Sequence, residues 1–168
     1  LNNNLYLDTL CNLKQNGEAM SILTAYLRKD FKASIFHFDH KILFQMSSKQ
    51  EVVPLPELAL NFRYYLQAPL VKNVLTLQLG VDATFTTKFY AQGYSPALGM
   101  FYNQRSEEIG ENPYMDIFIN MQWKRASIFV KYVNALQDWP TSDYFSANRY
   151  LRPQKALKFG VHWPFYIK

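Results

Sequence analysis

Between Val74 and Phe89 the side chains change character at every step. The odd positions are Leu75, Leu77, Leu79, Val81, Ala83, Phe85, Thr87 and Phe89, apolar in seven of eight cases. The even positions, from Val74 through Gln78, Asp82 and Lys88, are polar or glycine in seven of eight. A strand sends successive side chains to opposite faces. A helix would scatter the odd set around its circumference, so the pattern rejects a helix. At roughly 3.3 Å per residue such a strand would be about 50 Å long. Globular strands usually stop at about 5–6 residues, whereas strands this long suit barrels that project beyond a bilayer.

The pattern recurs along the chain. Tyr114–Lys124 sets Met115, Ile117, Ile119, Met121 and Trp123 against Asp116, Asn120, Gln122 and Lys124, with Phe118 the exception. Lys155–Ile167 sets Leu157, Phe159, Val161, Trp163, Phe165 and Ile167 against Lys158, Gly160 and His162. Glu57–Ala68, Ser127–Leu136 and Lys32–Ser48 alternate in the same way, and Leu5–Leu13 and Met20–Arg28 do so more weakly. Eight strands and no helix are predicted. Tight connections are expected at Gln15–Gly17, Lys29–Phe31, Pro69–Asn73 and Lys124–Ser127. Long ones, rich in Gly, Pro, Asn and aromatics, are expected at Tyr90–Pro113 and Asp138–Gln154, with an intermediate one at Ser47–Pro56. From the second hairpin on, short and long connections alternate, as in outer-membrane barrels.

Composition bears on which solvent each face meets. Charged residues are 18% of the chain, against about 25% in a typical globular protein. Aromatics are 17%. The longest stretch without a charged residue, Phe89–Gln104, contains Gln92, Ser95, Pro96, Asn103 and two glycines. A membrane-spanning helix needs about 20 mostly apolar residues, so none is expected. Strand-built membrane proteins show no such run. In a soluble sandwich the apolar face meets a second sheet; in a membrane barrel it meets lipid. Three features favour the barrel: the length of the alternation, the aromatics ending the apolar faces (Trp123, Trp163, Phe165, Phe89, Tyr90), and polar faces of Gln, Asn, Thr and isolated charges. Trp and Tyr collect at membrane interfaces because their rings are apolar and their tips polar. A soluble surface would carry more Lys and Glu.

Tyr94–Phe101 (YSPALGMF), Ile109–Phe118 (IGENPYMDIF) and Leu157–Tyr166 (LKFGVHWPFY) resemble the C-terminal half of the β-barrel porins of Bacteroidetes-type outer membranes. The resemblance covers most of Pro54–Tyr166; the first fifty residues match only loosely. It implies an antiparallel transmembrane β-barrel in the outer membrane, with all of residues 1–168 one barrel region. Family members are longer, so the chain would be the C-terminal portion of a larger barrel. That agrees with a start at Leu1 and no secretory leader pattern. The last strand is similar to the signal read by the barrel assembly machinery, with Lys158, Gly160, Trp163 and Phe165 in its places. Many such proteins end on the aromatic; here Tyr166, Ile167 and Lys168 follow. A periplasmic C-terminus then implies that every long connection is extracellular.

The face opposite lipid holds the candidates for a pore lining: Arg63, Gln78, Asp82, Lys88, Asp116, Asn120, Gln122, Lys124, Lys131, Lys158 and His162. Basic residues outnumber acidic ones among them, which predicts a mildly anion-favouring lining. No catalytic constellation is evident. His37 and Asp39 share a strand face while His40 points away, a poor metal site. Cys11, the only cysteine, excludes an intramolecular disulfide and a cysteine zinc cluster. Glu107, Glu108 and Glu111 read as a solvated loop. The +5 charge is dispersed, with no nucleic-acid footprint. The expected function is a porin-like channel for passive diffusion of small solutes, without cofactor. Its expected partners are outer-membrane lipid and the assembly machinery, with a homo-oligomer or docked proteins as further possibilities. The alternative is a complex-forming barrel that docks proteins through its long loops. The end of a plug-gated transporter and a soluble sandwich are weaker alternatives. Eight strands alone would close on a filled interior, so a conducting pore requires more strands.

Overall fold

A computed structural model of the chain describes residues 4–140 and 145–165. Among the described residues every regular element is a strand. In chain order they are β1 (Asn4–Leu7), β2 (Leu13–Asn16), β3 (Ile22–Ala33), β4 (Phe36–Ser47), β5 (Leu58–Val71), β6 (Leu75–Thr86), β7 (Gly93–Ser95), β8 (Met100–Tyr102), β9 (Tyr114–Trp123), β10 (Ala126–Val133), β11 (Phe145–Ala147), β12 (Tyr150–Leu151) and β13 (Ala156–His162). The seven long ones form one antiparallel sheet in the order β13-β10-β9-β6-β5-β4-β3. The fold is an all-β meander of the kind that builds membrane barrels. Its outer strands β3 and β13 are not paired with each other, so this wall is open.

The turns between β3 and β4, β5 and β6, and β9 and β10 lie at one end of the sheet. Each places a residue with positive φ: Ser34 (57°), Asn73 (57°) and Lys124 (51°). A tight hairpin needs that left-handed backbone to match strand twist. All long connections lie at the other end; two of them carry the hairpins β7/β8 and β11/β12, and the hairpin β1/β2, which precedes β3, joins them there. The short/long asymmetry read from the sequence is therefore a property of the fold.

Several boundaries differ from expectation. The predicted strand Leu5–Leu13 is instead a hairpin outside the main sheet, leaving seven strands in the wall rather than eight. The Asp8 carboxylate accepts hydrogen bonds from the Leu10 and Asn12 amides (2.9 and 2.8 Å), and Cys11 takes φ 60°. Asp satisfying its own backbone in this way forms turns, and alternation alone does not reveal it. Gln15 pairs with Leu5 rather than turning. Lys29–Phe31 continues β3, since these residues keep the alternation; the turn falls at Ser34. Pro69 stays in β5 opposite Thr76, beside a register shift before Val71; proline is tolerated at such irregularities. β6 ends at Thr86, and Phe89 makes only an isolated bridge to Ile109. β10 ends at Val133. Of the predicted last strand, Tyr166 and Ile167 lie outside the described residues, as do residues 141–144 of the loop Asp138–Gln154.

There is no conventional core. The buried apolar residues among those described are few, and most sit at the loop end: Leu7, Met20, Val52, Ala91, Ile109 and Val133. The apolar sheet face is bare instead. Leu23, Leu27, Leu157 and Phe159 are more than half exposed, and even central Leu79 and Ile119 are 40% and 37% exposed. Leaving such a side chain in water forgoes about 1.5–3 kcal/mol. Summed over a whole face, this exceeds the about 5–15 kcal/mol net stability of a domain. Water is thus excluded as the solvent of this face.

Candidate functional site

Alternation assigns each strand two faces, and the register joins them across the sheet. Arg63, Gln78, Asp82, Asp116, Asn120, Gln122, Lys131, Lys158 and His162 all fall on the face opposite the apolar one. Lys88 and Lys124 do not belong to it. Lys88 lies past the end of β6 and pairs with Glu111 at 3.0 Å. Lys124 occupies the β9–β10 turn, where the chain leaves the ladder. The same face includes Asp30, Asp39, His37, Tyr65 and Phe129, none of them among the predicted lining candidates. Extending the parity of β3 and β4 would have found the first three.

These groups bond to one another across strands. The Arg63 guanidinium donates to the Asp82 carboxylate from Nη2 (2.6 Å) and Nε (3.1 Å), and Asn61 Nδ2 donates to the same group at 3.0 Å. Lys131 Nζ lies 2.6 Å from Asp116 Oδ2. The buried Asp116 also accepts from the Asn134 amide at 2.9 Å. Asn120 donates to Gln78 (3.1 Å), and Gln78 donates to Gln67 (2.9 Å), an amide chain over three strands. Ser127 donates to Gln122 at 2.6 Å. These cross-strand bonds tie the polar groups of neighbouring strands into one network.

Three aromatics interrupt the polar face, each for a packing reason. Tyr65 and Phe118 flank Gly80 in register, and their rings lie 6.5 Å apart. A Cβ at Gly80 would come within 2.5 Å of the Tyr64 carbonyl oxygen and Tyr65 Cβ. Phe129 likewise covers Gly160, where a Cβ would meet its ring at 2.5 Å. His37 stacks on Tyr65 at 4.6 Å. Rings filling the space over strand glycines pin register. Gly80→Val is expected to cost about 1–3 kcal/mol by overpacking. A lowered urea midpoint, with the slope retained, would report it.

The loop end is knit together by two buried amides. Asn103 Nδ2 donates to the Glu51 and Val52 carbonyls (2.7 and 2.9 Å), and its Oδ1 accepts from Gln92 at 2.8 Å. Gln104 Nε2 donates to the Ala91 and Glu107 carbonyls, while Oε1 accepts from the Ser106 and Glu107 amides. Arg105 pairs with Glu51 at 3.0 Å. Beside them is a hollow of about 410 Å³ whose walls include Tyr6, Asp8, Glu51, Tyr90 and Arg105. The Asn12 amide holds the Asp8 carboxyl below its ordinary pKa, and Lys49 does the same for Glu18.

Of the assembly-signal residues, Lys158 and Gly160 lie in β13 on the polar face. Trp163 and Phe165 follow the strand, exposed and stacked at 6.3 Å. His40 lies on the apolar face and meets the Tyr64 hydroxyl at 2.9 Å, separate from His37 and Asp39.

A bare apolar face, a bonded and charged opposite face, and tight turns gathered at one end together define a strand-built membrane protein of the barrel class. A protein-family model described as "Putative porin" matches residues 1–166. The chain belongs to this porin family, and the match includes the first fifty residues. Membership implies a porin-like role in an outer membrane. Comparison with curated proteins and with solved structures gives no match.

Proposed function

We propose that the chain forms part of an outer-membrane channel for passive diffusion of small solutes. The observation that carries this reading is the contrast between its two faces. One is apolar and uncovered, and contacts outer-membrane lipid; the other is charged, amide-rich and hydrated, and lines the conduit. On the strands of that lining, Arg28, Lys32, Lys41, Arg63, Lys131 and Lys158 face Asp30, Asp39, Asp82 and Asp116. The positive excess favours anions mildly. Lys158, Gly160, Trp163 and Phe165 serve the assembly machinery during insertion, Gly160 by admitting Phe129 as β13 docks. Purified full-length protein in planar bilayers is expected to conduct in discrete steps. Its reversal potential in a salt gradient is expected on the anion side. A cation-side potential would overturn the lining assignment, and silence would overturn the channel.

A second reading, a barrel that docks proteins through its loops, is favoured by one specific feature. Leu98, Met100 and Phe101 around β7/β8, and Tyr150 and Leu151 in β12, are exposed apolar residues at the loop end. Tyr94 and Tyr150 meet at 6.4 Å and join the two hairpins. Silence in bilayers together with stably co-purifying subunits would favour that reading.

A further inference from the structure

The register arranges the charges of the polar face in rows. Asp30 pairs with Asp39, Asp39 with Arg63, Arg63 with Asp82, and Asp82 with Asp116. One row across five neighbouring strands thus carries four carboxylates and one guanidinium. The next row toward the turn end begins with Lys32 and His37 and finishes with Lys131 opposite Lys158. The next row toward the loop end begins with Arg28 and Lys41. Positions two apart on a strand are separated by about 6.8 Å, so an acidic row lies between two basic ones.

Like charges directly opposite one another destabilise a ladder. This face nevertheless holds four such pairs: Arg28/Lys41, Asp30/Asp39, Asp82/Asp116 and Lys131/Lys158. The neutralisation is uneven. Arg28 bonds to Asp30 at 3.1 Å, Arg63 to Asp82 and Lys131 to Asp116. Among the described residues of this face, Asp39 is the carboxylate left outside these ion pairs, and Lys32, Lys41 and Lys158 are the ammonium groups left outside them. Beside Asp39 the face sinks into a concavity of about 270 Å³. Asp39 and Arg63 border it on one side and Lys131 on the other, with the Tyr65 and Phe118 rings and the Gln78 amide between.

We propose that this concavity is a transit site for small zwitterionic solutes of short-peptide length. The solute's ammonium group is drawn to Asp39 and its carboxylate to Lys131, whose charge is reinforced by Lys158 directly opposite it in register. The amides bond the solute's polar backbone and the rings take its apolar side chain. A neutral solute of equal size gains neither charge contact, and a simple ion gains only one. The inference rests on the channel reading and names its solute class.

The test is osmotic swelling of liposomes holding the full-length protein, with triglycine compared against sorbitol. Triglycine is expected to enter about fivefold faster, the factor supplied by one water-screened charge contact near 4 Å. Asp39→Asn is expected to bring the two rates together, and Asp39→Glu to restore the difference. Asp39 is suited to substitution because no ion pair depends on it. Equal rates in the unaltered protein would overturn the transit site while leaving the channel intact, as would a ratio that Asp39→Asn leaves unchanged. No swelling with either solute would overturn the channel and the transit site together.

Discussion

Ile119→Arg is expected to destabilise the inserted protein by about 2–4 kcal/mol, the cost of a cation on the lipid face near the bilayer midplane. Ile119 sits mid-strand in β9, between Leu79 and Val130 on the apolar face. No described residue covers that face, so an arginine there would have lipid as its only surroundings. Its neighbour Asn120 provides the control. Asn120 points to the opposite, polar face and contributes one hydrogen bond, to Gln78. Asn120→Arg is therefore expected to cost about 1 kcal/mol or less. Denaturant unfolding of the two variants in lipid vesicles would measure both. Equal costs, or the larger cost at Asn120, would mean that the lipid and lumen faces have been exchanged.

The second large effect is expected at the loop end. Gln104 is 4% exposed and its amide satisfies two carbonyls and two backbone amides of the Tyr90–Pro113 connection. Each such bond contributes about 0.5–1.5 kcal/mol net. Gln104→Ala removes all four, leaving backbone groups of a part-buried loop without partners, for a total of about 3 kcal/mol. The loss is expected to be local, because Gln104 touches the loop and not the long strands. Hydrogen exchange at the Glu107 and Ser106 amides should quicken by about 100-fold, by the rule of 1.4 kcal/mol per factor of ten. Amides in the middle of β6 and β9 should keep their protection. A uniform loss across the sheet would show that the loop braces the wall as well as itself.

What could be read from the sequence follows from the geometry of a strand. Side chains alternate with a period of two, so the faces of Leu75–Phe85 and Met115–Trp123 were legible without coordinates. The polar-face residues on those strands, Gln78, Asp82, Asp116 and Asn120, came with them. The spacing of Gly, Pro and Asn likewise showed the long connections and two of the four tight ones, near Asn73 and Lys124. The resemblance in the motifs between Tyr94 and Tyr166 pointed to the porin family that the full-length match identifies.

Other features depended on how separate strands align. The length of β3 was missed because its tight turn uses Ser34 rather than glycine. The β1/β2 hairpin was missed because Asp8 bonds to its own backbone and ends an otherwise alternating run. Asn103 and Gln104 fall in the predicted long connection Tyr90–Pro113 with nothing to mark them, yet they are buried and bonded to segments as much as 52 positions away. Phe118 looked like an error in the pattern until Gly80 appeared beside it. The row from Asp30 through Asp39, Arg63 and Asp82 to Asp116 is invisible in the chain, because its members are 9 to 34 positions apart. By itself the sequence determined which face each side chain takes, since alternation is local to one strand. Only the tertiary structure decided which charges stand side by side, since register is set jointly by the turns and by hydrogen bonds between distant strands.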